Sequence, residues 1–149
     1  MKTRVPPPIL ALLMIGLVYL SSLLIGSVSF DYQASVSVLL VIVGLSCALP
    51  SYRLFARNKT TISPLTPSET SVLKTQGMYR YSRNPMYLGL LLLIIAATIW
   101  FGTWFGIIIS VFFILLINIL QIIPEEEEAL LQIFGEEYLE YKKKVRRWI

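Results

Sequence analysis

The chain has 149 residues, 56% of them hydrophobic and only 15% charged, with a formal net charge of +4 and a mean hydropathy of +0.70. A soluble domain carries roughly 25% charged residues, so a water-facing globule of this size could not hide so much apolar surface, and lipid must cover part of it. With no histidine and Cys47 as the sole cysteine, the sequence excludes disulfide frameworks, Cys/His metal sites and any mechanism built on a histidine base.

The length suits one domain over residues 1–149. Four apolar runs, at about 9–30, 34–50, 86–101 and 104–123, read as membrane spans, since crossing a ~30 Å hydrocarbon core takes about 20 residues. Lys2 and Arg4 precede the first run, as in a signal peptide, but a signal core is typically about 7–15 residues, and the greater length favours a retained helix. Pro6, Pro7 and Pro8 read as a stiff, extended lead-in. Asp31–Gln33 and Gly102–Thr103 are short connections, so the spans pair into two helical hairpins. The second span is expected to stop near Pro50. Tyr32, Trp100 and Trp104 sit at run ends, where amphipathic rings favour the interface.

Between the hairpins, residues 51–84 hold Arg53, Arg57, Lys59, Lys74, Arg80 and Arg83 against the single acid Glu69. The connections on the other side carry no Lys or Arg. The positive-inside rule then puts this stretch, and both ends of the chain, in the cytoplasm. These basic residues flank spans, so lipid headgroups explain the net charge better than nucleic acid does. The last segment, 125–149, is expected to be a cytoplasmic amphipathic helix. Leu130, Phe134, Tyr138, Tyr141 and Val145 form an apolar stripe, Glu140 and Lys144 are spaced as an i,i+4 pair, and Gly135 marks a bend. The fold class is thus all-α, a polytopic membrane protein of about four spans with an amphipathic helix after them.

Two constellations stand out. Residues 73–89, LKTQGMYRYSRNPMYLG, crowd polar and aromatic groups at the cytoplasmic mouth of the third span, with Asn84 and Pro85 in helix-starting positions. Their plain alternative is a membrane-approach cap. Pro124 followed by Glu125, Glu126, Glu127 and Glu128 sits after the fourth span. Its plain alternative is a solvated helix start, which accounts for one or two acids better than for four. On an α-helix Glu126 lies about 100° from Glu125, so all four acids cannot serve one pocket. Together the two elements meet the needs of S-adenosylmethionine: an acid for the ribose diol or ammonium, donors for the carboxylate, and an aromatic slot for the base. There is no Gly-rich turn of the Rossmann type.

At these residues the sequence resembles the isoprenylcysteine carboxyl methyltransferases and related membrane phospholipid methyltransferases. The shared pattern appears as Gly77-Met-Tyr79, Arg83-Asn-Pro-Met-Tyr87, Glu126-Glu127, Phe134-Gly-Glu-Glu-Tyr138, Tyr141 and Val145-Arg-Arg147, in order, over about residues 73–149. The resemblance implies an S-adenosylmethionine-dependent methyltransferase acting on a lipophilic small molecule or lipid, with a carboxylate or thiol acceptor, and with no metal and no nucleic-acid partner. Phospholipid amine methylation and a non-catalytic membrane scaffold are the alternatives. It also implies that Tyr79, Asn84, Pro85, Met86 and Tyr87 line the cofactor pocket, that backbone near Leu73 and Lys74 closes it, and that Glu126, helped by Glu127, is the cofactor-binding acid. No residue is singled out as catalytic. Asn84 stands where many members have histidine, and an arginine tied to prenylcysteine substrates in the eukaryotic enzymes is absent near Ile122.

Overall fold

The computed structural model describes residues 6–57, 73 and 75–149, the side chains of 51–57 and 121–125 excepted. It is helical, with no strand among these residues: α1 (Pro7–Ile25), α2 (Gln33–Arg57), a 3₁₀ turn (Gly77–Arg80), α3 (Pro85–Phe101), α4 (Phe105–Ile117), a π-helical segment (Asn118–Glu127) and α5 (Glu128–Lys144). The chain divides into two compact units, Met1–Ser46 with Gly89–Leu115, and Cys47–Leu88 with Leu116–Ile149.

The first unit is built from the apolar runs. Pro7 and Pro8 are not an extended lead-in. They occupy the first helical positions of α1, with Pro6 as its cap, where a missing N–H costs nothing and a fixed φ is already helical. The helix ends at Gly26 (φ 102°), so 26–30 is not helical although the expected run extended to Phe30. Ser21 and Thr103 share a buried hydroxyl contact of 3.2 Å, and Val28 N–H donates to the Gly102 carbonyl at 2.8 Å. Gln33 Nε2 donates to the Ile99 and Trp100 carbonyls at 2.7 and 2.8 Å, satisfying groups that the end of α3 leaves open. Gly102 has φ 62°, and a Cβ there would lie 2.0 Å from the Val28 carbonyl oxygen. Only glycine fits. Val18, Ile94 and Phe113 form the fully buried apolar centre of this unit.

Most of the large apolar side chains on these helices face outward, among them Leu12, Leu24, Val38, Leu39, Ile107 and Phe112. Two helices, Pro7–Ile25 and Gln33–Pro50, are long and apolar enough to cross a membrane, and only 28% and 17% of their windows are buried. A soluble core helix would be covered on most sides; these are not. Pro85–Phe101 and Phe105–Leu120 are shorter apolar helices, at the expected third and fourth runs. Two helices continue past a proline. α2 runs through Pro50, where the span is expected to stop, to Arg57, and the helix after α4 passes through Pro124 with π winding. A proline has no N–H to donate, so it removes one ladder bond from any helix that runs through it.

In the second unit α5 bears a kink at Gly135 (φ 50°, ψ −121°), where the sequence predicts a bend. Tyr138 and Tyr141 are its buried residues. The expected Glu140–Lys144 pair is replaced by Lys143 with Glu140 at 2.8 Å, one residue closer along the exposed face. Lys59, Glu69 and Lys74 lie outside the described residues.

Candidate functional site

The second unit brings the two sequence constellations together. Pro85 opens α3 and is fully buried, with Asn84 before it and Tyr87 one turn in. The Leu88 N–H donates to the Asn84 carbonyl at 3.0 Å, closing the first turn. Tyr87 is buried, and its hydroxyl donates to Glu126 Oε1, joining residues 39 positions apart in the chain. Tyr79, in the 3₁₀ turn, is buried as well, and its carbonyl accepts from the Tyr141 hydroxyl at 2.7 Å. Burial pushes the Tyr79 phenol far above its ordinary range, and the negative charge of Glu126 pushes it further. The phenol therefore stays protonated and neutral in the field of that carboxylate. Met86 is half-buried.

Glu127 has different company. Arg147 grips it with two parallel bonds, Nε to Oε1 at 2.8 Å and Nη2 to Oε2 at 2.9 Å. Arg83 Nη1 lies 3.1 Å from Oε1 and Lys142 Nζ 3.3 Å from Oε2. Burial alone would raise the Glu127 carboxyl, but the Arg147 bonds and the charges of Arg83, Arg147 and Lys142 outweigh it and hold the group below the usual carboxylate range. Arg83 also donates to the Tyr138 hydroxyl at 3.1 Å. Glu128 is exposed. The acids whose side chains are described thus divide, with Glu126 meeting Tyr87, Glu127 the cations and Glu128 solvent. The division falls on a π-wound segment, in which each residue turns through less than the ~100° of an α-helix.

Asn84 is buried, and its amide nitrogen donates to the Arg147 carbonyl at 3.0 Å. Ser82 Oγ donates to the same carbonyl at 3.3 Å and accepts from the Asn84 N–H at 3.0 Å. The position therefore uses a hydrogen-bond donor, which an amide supplies without titrating. A cleft of about 430 Å³ opens alongside, lined by Leu73, Thr75, Arg80, Tyr141, Lys144 and the α5 acids Glu137 and Glu140 among others. Leu73 belongs to this cleft rather than to the Tyr87–Glu126 contact. Lys74 lies outside the described residues. No group of three or more metal-ligating side chains occurs among the described residues.

The phospholipid methyltransferase family matches residues 32–137, which include the 3₁₀ turn, the start of α3 and the whole acid run. The chain belongs to the phospholipid methyltransferase family. This is the isoprenylcysteine carboxyl methyltransferase-like group that the motifs indicate, and the match makes the chain a membrane methyltransferase by family. An uncharacterized protein of Haemophilus influenzae is similar as well, 52% identical over 67 residues, 43% of this chain and the whole of that protein. No solved structure matches significantly.

The Arg83–Glu127–Arg147 cluster was not foreseen from sequence. Its signal was present in the charge pattern: four acids beside a basic end are more economically read as partners than as separate solvated faces. The composition assigns those cations to headgroups, since nothing in a linear pattern says that residues 145–147 fold back onto residues 82–84.

Proposed function

We propose that the chain transfers a methyl group from S-adenosylmethionine to a lipophilic acceptor that reaches the site from the bilayer. The observation that carries the proposal is the contact of Glu126 with Tyr87 beside the buried Tyr79, within the residues that match the family. The residues suit the cofactor's chemistry. Glu126 supplies an acid for the ribose diol or ammonium, and the Tyr87 hydroxyl fixes its rotamer. Arg80 and Lys144 offer donors for a carboxylate at the cleft. Tyr79, Pro85, Met86 and Tyr87 supply an apolar and aromatic wall, and Leu73 a further apolar side at the cleft. Glu127 supports Glu126 indirectly, by anchoring the segment.

When bound, the cofactor supplies a methyl carbon already activated by its sulfonium. The protein's share is alignment and exclusion of water, which needs no histidine. A carboxylate or thiolate acceptor needs no general base. An amine acceptor must first lose a proton. Glu127 cannot take it, being held ionised by three cations, which leaves water or Glu126.

The membrane arrangement proposed is four spans, α1 to α4, with the central basic stretch, the site and α5 on the cytoplasmic side. It is supported by two span-length helices, two shorter apolar ones, and the basic charge of residues 51–84. Calorimetric titration of detergent-purified protein with S-adenosylmethionine and S-adenosylhomocysteine tests the function. Saturable binding of both is expected, and absence of binding to a helical, monodisperse sample would refute it.

A further inference from the structure

The chain leaves α5 at Val145 in an extended conformation (φ −124°, ψ 129°), and residues 146–147 meet 82–84. The Arg83 N–H donates to the Arg146 carbonyl at 3.0 Å, and Ser82 and Asn84 both donate to the Arg147 carbonyl. These bonds fix the backbone from which the Arg147 side chain reaches back to Glu127. The carboxylate is then held from two sides, by Arg147 and by the nearly buried Arg83. Its neighbour in sequence, Glu126, is the residue that meets Tyr87.

Ten residues of π winding are not a conformation that backbone preference sustains, since such turns appear mostly singly inside α-helices. Tertiary contacts must hold the segment. A fork-on-carboxylate pair is suited to this task because it fixes orientation as well as distance, which a lysine point charge does not. We propose that Arg147 is a positioning residue of the cofactor site. Its bidentate grip on Glu127, braced by Ser82, Arg83 and Asn84, sets the rotation of the acid run and so delivers Glu126 to Tyr87. The inference rests on the reading of Glu126 as the cofactor-binding acid, but the clamp itself can be tested without cofactor.

The test uses the full chain with Arg147→Ala, Arg147→Lys and, as control, Lys143→Ala, whose ion pair with Glu140 is exposed. Amide exchange over residues 118–128, followed by mass spectrometry without cofactor, should speed up in Arg147→Ala and stay unchanged in Lys143→Ala. S-Adenosylhomocysteine affinity should fall about tenfold or more in Arg147→Ala, the loss of a charge-assisted bidentate contact. Arg147→Lys should fall between alanine and wild type, and millimolar guanidinium should restore part of the affinity of the alanine variant only. Unchanged exchange in Arg147→Ala overturns the clamp. Faster exchange with wild-type affinity overturns the positioning role. If Arg147→Ala does not fold, an Arg147→Lys variant equal to wild type in both readouts overturns the proposal, because it lacks the fork. Wild-type protein that binds no adenosylhomocysteine refutes the proposed function instead, and the exchange data still decide the clamp.

Discussion

Glu127→Gln is the most informative single change for the second unit. The side chain of Glu127 is 11% exposed and that of Arg83 8%, so the substitution strands a desolvated guanidinium beside a neutral amide. Breaking one side of a buried, hydrogen-bonded ion pair costs about 3–5 kcal/mol. At about 1.4 kcal/mol per factor of ten, amide protection at Arg83 and Val145 should fall between a hundredfold and a few thousandfold. The same cluster makes the docking of residues 145–147 dependent on pH. The folded-state carboxyl is depressed by its cations, so its stabilisation is complete above the ordinary value of ~4.3. It is lost as pH falls through the lower folded value. Wild-type protection should therefore decline as pH falls below that ordinary value, and Glu127→Gln should abolish that decline, being weaker than wild type above it and converging with wild type in acid. Exchange at the Arg83 amide in the variant matching wild type at pH 7 would refute the clamp as the source of this stability. Glu128→Gln, at an exposed position, should change protection by less than about 0.5 kcal/mol.

Three further outcomes are expected. Glu126→Gln should weaken adenosylhomocysteine binding by about tenfold to a hundredfold and Glu128→Gln much less, in calorimetry on variants that remain helical by circular dichroism; equal, near-wild-type affinities would make the acid run structural. Gly102→Ala forces a side chain into the Val28 carbonyl at a positive φ and should destabilise the first unit by about 1–3 kcal/mol, read as lowered thermal stability in detergent. In the four-span arrangement, Asp31→Cys and Lys59→Cys should label from opposite sides of the membrane; labelling of both from one side would rule it out.

Much of the first unit was legible in the sequence, because a run of apolar residues free of charge has few fates other than a helix facing lipid. The helix ends were less so. Pro7 and Pro8 fit a helix start as well as an extended segment, and only packing decides between them. Pro124 reads as a break from its chemistry, yet the chain widens into π winding and continues. In the site, Tyr79, Tyr87 and Glu126 were named by the motifs and are drawn together by the fold. Glu127 and Asn84 were named too, but Glu127 meets Arg83, Lys142 and Arg147, and Asn84 meets the Arg147 carbonyl across more than sixty residues. Such pairings depend on how α5 kinks at Gly135 and on where residues 145–147 run, neither of which periodicity encodes.

The most direct measurement is methyl transfer itself. Purified protein reconstituted into vesicles of phosphatidylethanolamine, with prenylcysteine and fatty-acid acceptors added in parallel, is incubated with methyl-labelled S-adenosylmethionine, and the organic phase is counted. Label should enter one lipophilic product class with wild-type protein and fall sharply with Glu126→Gln. Label confined to the aqueous phase for every acceptor, with a wild-type protein that is folded and binds the cofactor, would contradict transfer to a lipophilic acceptor.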